Sequence, residues 1–302
     1  MECHIDHRIG HWIEYHWRDL PLFRYVYGPD TPREEARRPY FHPVRTLNGQ
    51  PVTIHRPHDH RWHHGLSMTC ADLSGQNFWG GPTYVRGEGY TSLGNHGRQV
   101  HSEWVKLESD AAGLEAIEQV EWADSEDCVI VREDRRIAVP VPNEEDGVGC
   151  LDLAFELRNV TEEALVFGSP TTNGRPSAGY GGLFWRGLRS FRGGRIEGDQ
   201  ARQGEELMGC RSTYLALVGR HDATLRASTV IMLDLPGNPR FPTQWFVRSD
   251  PYACMSASFM FDTEFELEPD DVLGLHYRIL IAAGDRGSAG IRQLAQRYGG
   301  VR

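Results

Sequence analysis

Lysine is almost missing from this 302-residue chain: Lys106 is the only one, and the other basic side chains are arginine. GC-rich coding produces that bias without any selection for arginine chemistry. Acidic residues outnumber basic ones by 42 to 32, a formal net charge of −10, which argues against a general nucleic-acid footprint. The six cysteines (Cys3, Cys70, Cys128, Cys150, Cys210, Cys254) form no CxxC pair. Free buried thiols in a reducing compartment therefore fit better than a disulfide framework or a zinc knuckle. No apolar run approaches the roughly 18–20 residues that span a bilayer. The opening stretch MECHIDHRIGHW lacks the apolar core of a secretory signal. GxGxxG, P-loop and GxSxG motifs are absent, which disfavours a dinucleotide fold, an NTPase and an α/β-hydrolase. No clear pair of isolated carboxylates marks a standard glycosidase. The expectation is a soluble cytoplasmic protein that engages neither nucleic acid nor membrane. Exposed strand edges leave a homodimer open.

What is present has a period of two. In CLDLAFELRNV, Leu151, Leu153, Phe155 and Leu157 alternate with Asp152, Ala154, Glu156 and Arg158, the pattern of a half-buried strand. VLGLHYRILIAAG places Leu273, Leu275, Tyr277, Ile279 and Ile281 on one face. STYLALVG, ATLRASTVIMLD and ACMSASFMFDTEFEL read as further strands, separated by Gly, Pro, Asn and Asp clusters. One helix is expected, at residues 287–299, with Ile291, Leu294, Ala295 and Tyr298 on its apolar face. Many strands without alternating helices imply an all-β fold: a large antiparallel β-sandwich in one domain, with residues 1–20 as an N-terminal extension.

The densest chemistry lies in RPHDHRWHHGLS, from Arg56 to Ser67, which gathers His58, His60, His63 and His64. Three readings compete. Imidazole is the commonest metal ligand, and His58, His60 and His64 could hold a divalent Zn, Mn or Fe ion. Imidazole also titrates near neutrality, so His60 and His64 are candidates for proton transfer, with His58 and His63 completing the cluster and Asp59 and Arg61 tuning them. The plain alternative is a structural loop. Candidate ligand-holding residues are His42 and Arg45 before the cluster, Trp79 in GQNFWGG, and Asn238, Arg240, Trp245 and Arg248 in GNPRFPTQWFVR. Arginine suits planar recognition of carboxylates, and aromatic rings offer flat apolar surface to a sugar. His4, His7, His11 and His16 near the start are expected to be exposed and receive no role.

RPYFHPVRTLNGQPVT, DHRWHHGLSM, NFWG, GNPRFPTQWFVR and LHYRILIAAGD, in that order, resemble the bacterial family labelled PmoA-like. That family is of unknown function, and its name was borrowed from a methane monooxygenase subunit. The resemblance runs from about Pro39 to Tyr298, and its most specific element is Asp59, His60, His63, His64 and Gly65. It implies a sugar-related role without specifying a reaction. TTNGRPSAGYGGLFWR departs from the family's acidic glycine-rich stretch, which suggests a different ligand. A fainter similarity, in RPYFHP, HHGLS and ACMSAS, points to the galactose-mutarotase-like supersandwich. The mutarotase's glutamate would fall near Met255 or Ser256, so that base is missing. Together these features suggest an enzyme acting on a sugar or oxidised sugar-like small molecule by histidine acid–base chemistry. Alternatives are a non-catalytic carbohydrate-binding accessory protein and a His-ligated metalloenzyme of oxygenase type.

Overall fold

The computed structural model describes residues 3–199 and 202–300. Two eight-stranded sheets dominate it. In spatial order the first contains Cys3–Arg8, Trp12–Trp17, Leu20–Val26, Tyr40–Val44, Leu66–Thr69, Gly182–Arg186, Cys254–Ala257 and Trp245–Arg248. The second contains Arg195–Gly198, Tyr214–Arg220, Ala227–Asp234, Val272–Ala283, Val148–Asn159, Val129–Pro140, Gly113–Ala123 and Arg98–Asp110. All neighbours within these two sheets run antiparallel. The alternation read from sequence is the packing that holds them together. Leu151, Leu153, Phe155 and Leu157 from the second sheet and Phe41, Val44, Leu183, Trp185, Trp245 and Val247 from the first enter one continuous apolar core. The architecture is thus the antiparallel β-sandwich expected.

Charge is also buried between the sheets. Arg135 donates to Glu133, to Gln99 (3.1 Å) and to the Tyr25 hydroxyl (2.9 Å), while Trp122 Nε1 donates to Glu133 (2.6 Å). Each charged end therefore has partners, which a buried ion pair requires.

The helix forms at Gly287–Tyr298. Its Ile291, Leu294, Ala295 and Tyr298 pack on the outer face of the second sheet, against Ile231, Leu233, Leu280 and Ala282. Three expectations need correction. Residues 3–17 are not an extension but two edge strands of the first sheet, because Cys3, Ile13, Tyr15 and Trp17 alternate into the main core; residues 1 and 2 lie outside the described residues. ACMSASFMFDTEFEL is not one strand: Cys254–Ala257 belongs to the first sheet and Phe265–Leu267 to a small separate one. Of the thiols, Cys3, Cys70, Cys150 and Cys254 are buried and unbridged, whereas Cys210 is half-buried and Cys128 exposed.

Candidate active site

Strand alternation has a second consequence. Where Leu183, Trp185, Trp245 and Val247 enter the core, Phe184, Arg186, Phe246 and Arg248 must face the other way. Phe184 and Phe246 join Trp79, Tyr180 and Phe261 in a separate apolar cluster on that outer face. Loops rise around this floor and enclose a cavity of about 460 Å³. Its walls are Trp62, Trp79, Tyr90, Tyr180, Phe246 and Tyr252, and its polar groups are His60, His63, Arg175 and Arg248. Hollows of about 400–580 Å³ also lie on the second sheet, but their linings are largely charged or polar and gather few aromatic rings.

The histidine segment is a closed loop pinned at its neck. Arg56 N donates to His63 O (2.9 Å), Gly65 N to Ile54 O (3.0 Å), and His55 bridges His64. Two tight turns follow inside it, His60 N to Pro57 O and His63 N to His60 O, both at 3.0 Å. Arg38, buried beneath, ties this loop to its neighbour by donating to Trp62 O (2.7 Å), Trp79 O (3.0 Å) and Ser67 Oγ (3.1 Å).

This geometry divides the histidines. His60 and His63 stack together on the cavity side, with ring centroids 4.8 Å apart, and His60 lies edge-on to Tyr252. His60 Nδ1 is 3.2 Å from Asp59 Oδ2, and Arg189 donates to the other oxygen of Asp59. Burial lowers the pKa of His60, opposed by the Asp59 hydrogen bond. Burial opposes ionisation of Asp59, but its bonds from His60, the backbone and Arg189 override this and hold it at about 2. The neutral imidazole thus has Nδ1–H directed at a carboxylate, leaving Nε2 for a ligand. His63 is wholly enclosed among Trp79, Phe184 and Tyr252, and burial lowers its pKa well below the usual value.

His64 points the opposite way and does not line the cavity. It is buried, with Nε2 3.3 Å from Glu35 Oε2. Glu35 also accepts from Arg56 through both oxygens, at 2.7 and 2.8 Å. Burial opposes the Glu35 charge, yet the bonds from His64 and Arg56 hold the carboxyl down at about 2. His55 and Tyr40 pack against His64, and His42 against His55. Burial holds His64 and His42 at about 4 and His55 at about 3. This back layer supports the loop.

The other candidates fall into place accordingly. Trp79 and Arg248 line the cavity. His58 is exposed and accepts from Arg189 (3.0 Å). Asp59 orients His60 instead of holding a ligand. Arg61 is largely exposed, with Nε 3.4 Å from Glu35. His42 bonds Thr53 Oγ1 (3.0 Å), and neither it nor the half-buried Arg45 reaches the cavity. Asn238 is spent on Asp234, His276 O and His276 N. Arg240 caps the carbonyls of Phe259, Thr263 and Glu264. Trp245 is a core side chain that donates to Ser212 O (2.8 Å). Among the described residues His58, His60 and His64 do not converge as a metal-ligand set; the one trio with ligand atoms within 4.8 Å of each other is His4, Asp6 and His16.

Sequence reasoning overlooked Arg175, Tyr180, Tyr252 and Arg186. Arg186 is fully buried, sits 4.1 Å from the Tyr252 ring centroid, and donates to Ala253 O (3.1 Å), while its Nε and Nη2 have no hydrogen-bond partner. Arg248 has no carboxylate partner among the described residues. No Asp or Glu lines the cavity. The site is therefore an aromatic hollow with a positive field, lined by no carboxylate among the described residues, and the neighbouring Asp59 is already paired.

The chain belongs to a family of unknown function, DUF6807, whose model matches residues 13–296. No curated protein sequence matches it. Among solved structures it is similar to an α-galactosidase from Lactobacillus brevis (10% identity, TM-score 0.43, covering 98% of this chain and 40% of that one). It is also similar to a GH36 α-galactosidase from Geobacillus stearothermophilus in complex with raffinose (12% identity, TM-score 0.41, 91% and 41%). The chain spans about two fifths of the length of either neighbour, and at that distance neither neighbour's activity transfers. Among the described residues no helix is long and apolar enough to cross a membrane.

Proposed function

We propose that the protein is a carbohydrate-active enzyme for a sugar-type substrate bearing a carboxylate, with His60 as the proton-transfer group. The observation that carries this is the Asp59–His60 pair at the aromatic cavity. A neutral imidazole fixed through Nδ1 can take a proton through Nε2, and the adjacent carboxylate stabilises the imidazolium that results. The aromatic walls suit the apolar face of a sugar. Arg248 and Arg175 suit its carboxylate, since guanidinium matches that group in shape and charge. The resemblance to the PmoA-like family supports a sugar-related role.

In the reaction the geometry favours, Nε2 of His60 removes the proton from the carbon next to the carboxylate. The electron pair moves onto the carboxylate oxygens, where Arg248 meets the growing charge. Delivery of a proton to the opposite face of that carbon gives epimerisation; departure of a group from the neighbouring carbon, with the electron pair it shared, gives elimination.

The test is incubation with a panel of uronic and aldonic acids in D₂O, followed by proton NMR. Exchange of the proton beside the carboxylate is expected, and His60→Gln should slow it by about 10²–10⁴-fold. Saturable binding with neither exchange nor product would overturn the enzymatic reading and leave a sugar-binding accessory protein.

A further inference from the structure

The histidines near the start of the chain have no place in the cavity, yet they are not scattered. Strands Cys3–Arg8 and Trp12–Trp17 pair with His4 opposite His16 and Asp6 opposite Glu14. Ile13, Tyr15 and Trp17 point into the core, so Glu14 and His16 share the outer face, joined there by His4 and Asp6. The His4 and His16 rings stack with centroids 4.5 Å apart and 15° between planes. One ligand atom from each of His4, Asp6 and His16 lies within 4.8 Å of the other two. Nε2 of His16 is sealed from solvent and makes no hydrogen bond of normal geometry. Yet Asp6 Oδ2 lies 3.3 Å from it and Glu14 Oε1 3.7 Å. The other Glu14 oxygen is held by Arg24 at 3.1 Å.

We infer that this hairpin face binds a divalent transition metal of the zinc class, with His4, Asp6 and His16 as ligands. Two imidazoles with one or two carboxylates are a zinc-type donor set, whereas calcium and magnesium favour oxygen alone. Ligand atoms at 2.0–2.2 Å from a tetrahedral ion stand roughly 3.3–3.6 Å apart. The His16–Asp6 spacing already satisfies this, and His4 closes by side-chain rotation on a fixed strand. The ion would bridge the two outermost strands and staple the edge of the first sheet, which otherwise relies on its backbone ladder and one apolar face. This site is independent of the cavity chemistry.

The full chain, stripped with a chelator and dialysed, is titrated calorimetrically with zinc chloride, alongside Asp6→Asn, a His4→Asn/His16→Asn double variant and His60→Gln. The wild type and His60→Gln are expected to take up one equivalent that Asp6→Asn binds at least about tenfold more weakly and the double variant lacks. Cobalt(II) should give visible d–d absorption in the wild type and not in the double variant. Asp6 is exposed, so its amide variant keeps the fold and gives an answer even where the double variant does not. No zinc uptake by the wild type, equal uptake by all four proteins, or loss of the equivalent in His60→Gln would each overturn the assignment.

Discussion

The carboxylate of Asp59 lies 3.2 Å from Nδ1 of His60, and Arg189 holds its other oxygen. A ring fixed this way presents one defined nitrogen to the cavity, which a freely rotating histidine would not. Asp59→Asn removes the charge and should lower turnover. Because Asp59 raises the pKa of His60 against burial, its loss should also move the acid limb of the kcat/KM profile to lower pH. A limb that moves to higher pH contradicts this role.

Arg248 lines the cavity without a carboxylate partner among the described residues, so its charge is available to a ligand. Hydrogen bonds to charged groups contribute about 1.5–3 kcal/mol. Arg248→Gln should therefore weaken binding of an acid sugar by roughly 10- to 100-fold and leave a neutral analogue nearly unchanged. Calorimetric titration of both ligands checks it; equal losses for the two would mean a packing role only.

Gly80 adopts φ +100°, and a Cβ there would stand 2.5 Å from Trp62 Cβ and 2.7 Å from Glu35 O. Gly80→Ala must push the Gly80 turn away from Trp62 of the histidine loop and from Glu35 behind it. A loss of about 2–4 kcal/mol is expected in urea unfolding, together with loss of cavity binding.

Acid should destabilise the fold through the histidines. Burial leads in depressing His42, His55, His63 and His64, so the native state holds them neutral where the unfolded chain protonates them. Between about pH 6.5 and 4 the unfolded state then binds more protons, and stability rises with pH by at most about 1.4 kcal/mol per unit for each such group. The depressed Glu35 extends the trend: its contribution is present above its ordinary value of 4.5 and is lost as pH falls towards about 2. Urea midpoints measured across this range should fall steadily with acid. His55→Gln should flatten the slope; an unchanged slope would contradict the assignment.

Four strands of the second sheet, Tyr214–Arg220, Ala227–Asp234, Val272–Ala283 and Val148–Asn159, were legible because a sheet with one buried face repeats every two residues. Leu151 to Leu157 and Leu273 to Ile281 sit in the core as their alternation requires. The N-terminal strands carry the same alternation in Ile13, Tyr15 and Trp17, but the histidines and charges between them masked it. The site was harder to read. A loop has no period, so nothing in HDHRWHH shows that His63 faces the cavity and His64 its back. Trp245 and Arg248 are both candidate ligand-holding residues by sequence, but as a strand WFVR sends Trp245 inward and Arg248 out. Glu35 lies in a three-residue helical turn, 29 residues before His64 in sequence, and only the fold brings them together. Arg175, Tyr180 and Tyr252 come from segments whose glycines and prolines signal turns and reveal nothing of what the turns enclose.

The most direct measurement is a paired calorimetric titration with a hexuronate and with the neutral hexose of the same configuration, on the wild type and on His60→Gln and Arg248→Gln. The account predicts that a uronate binds the wild type at least about tenfold more tightly than the neutral sugar, and that Arg248→Gln erases the difference while His60→Gln keeps it. Equal affinity for the two sugars across a panel of configurations, or a preference for the uronate that survives in Arg248→Gln, would contradict it.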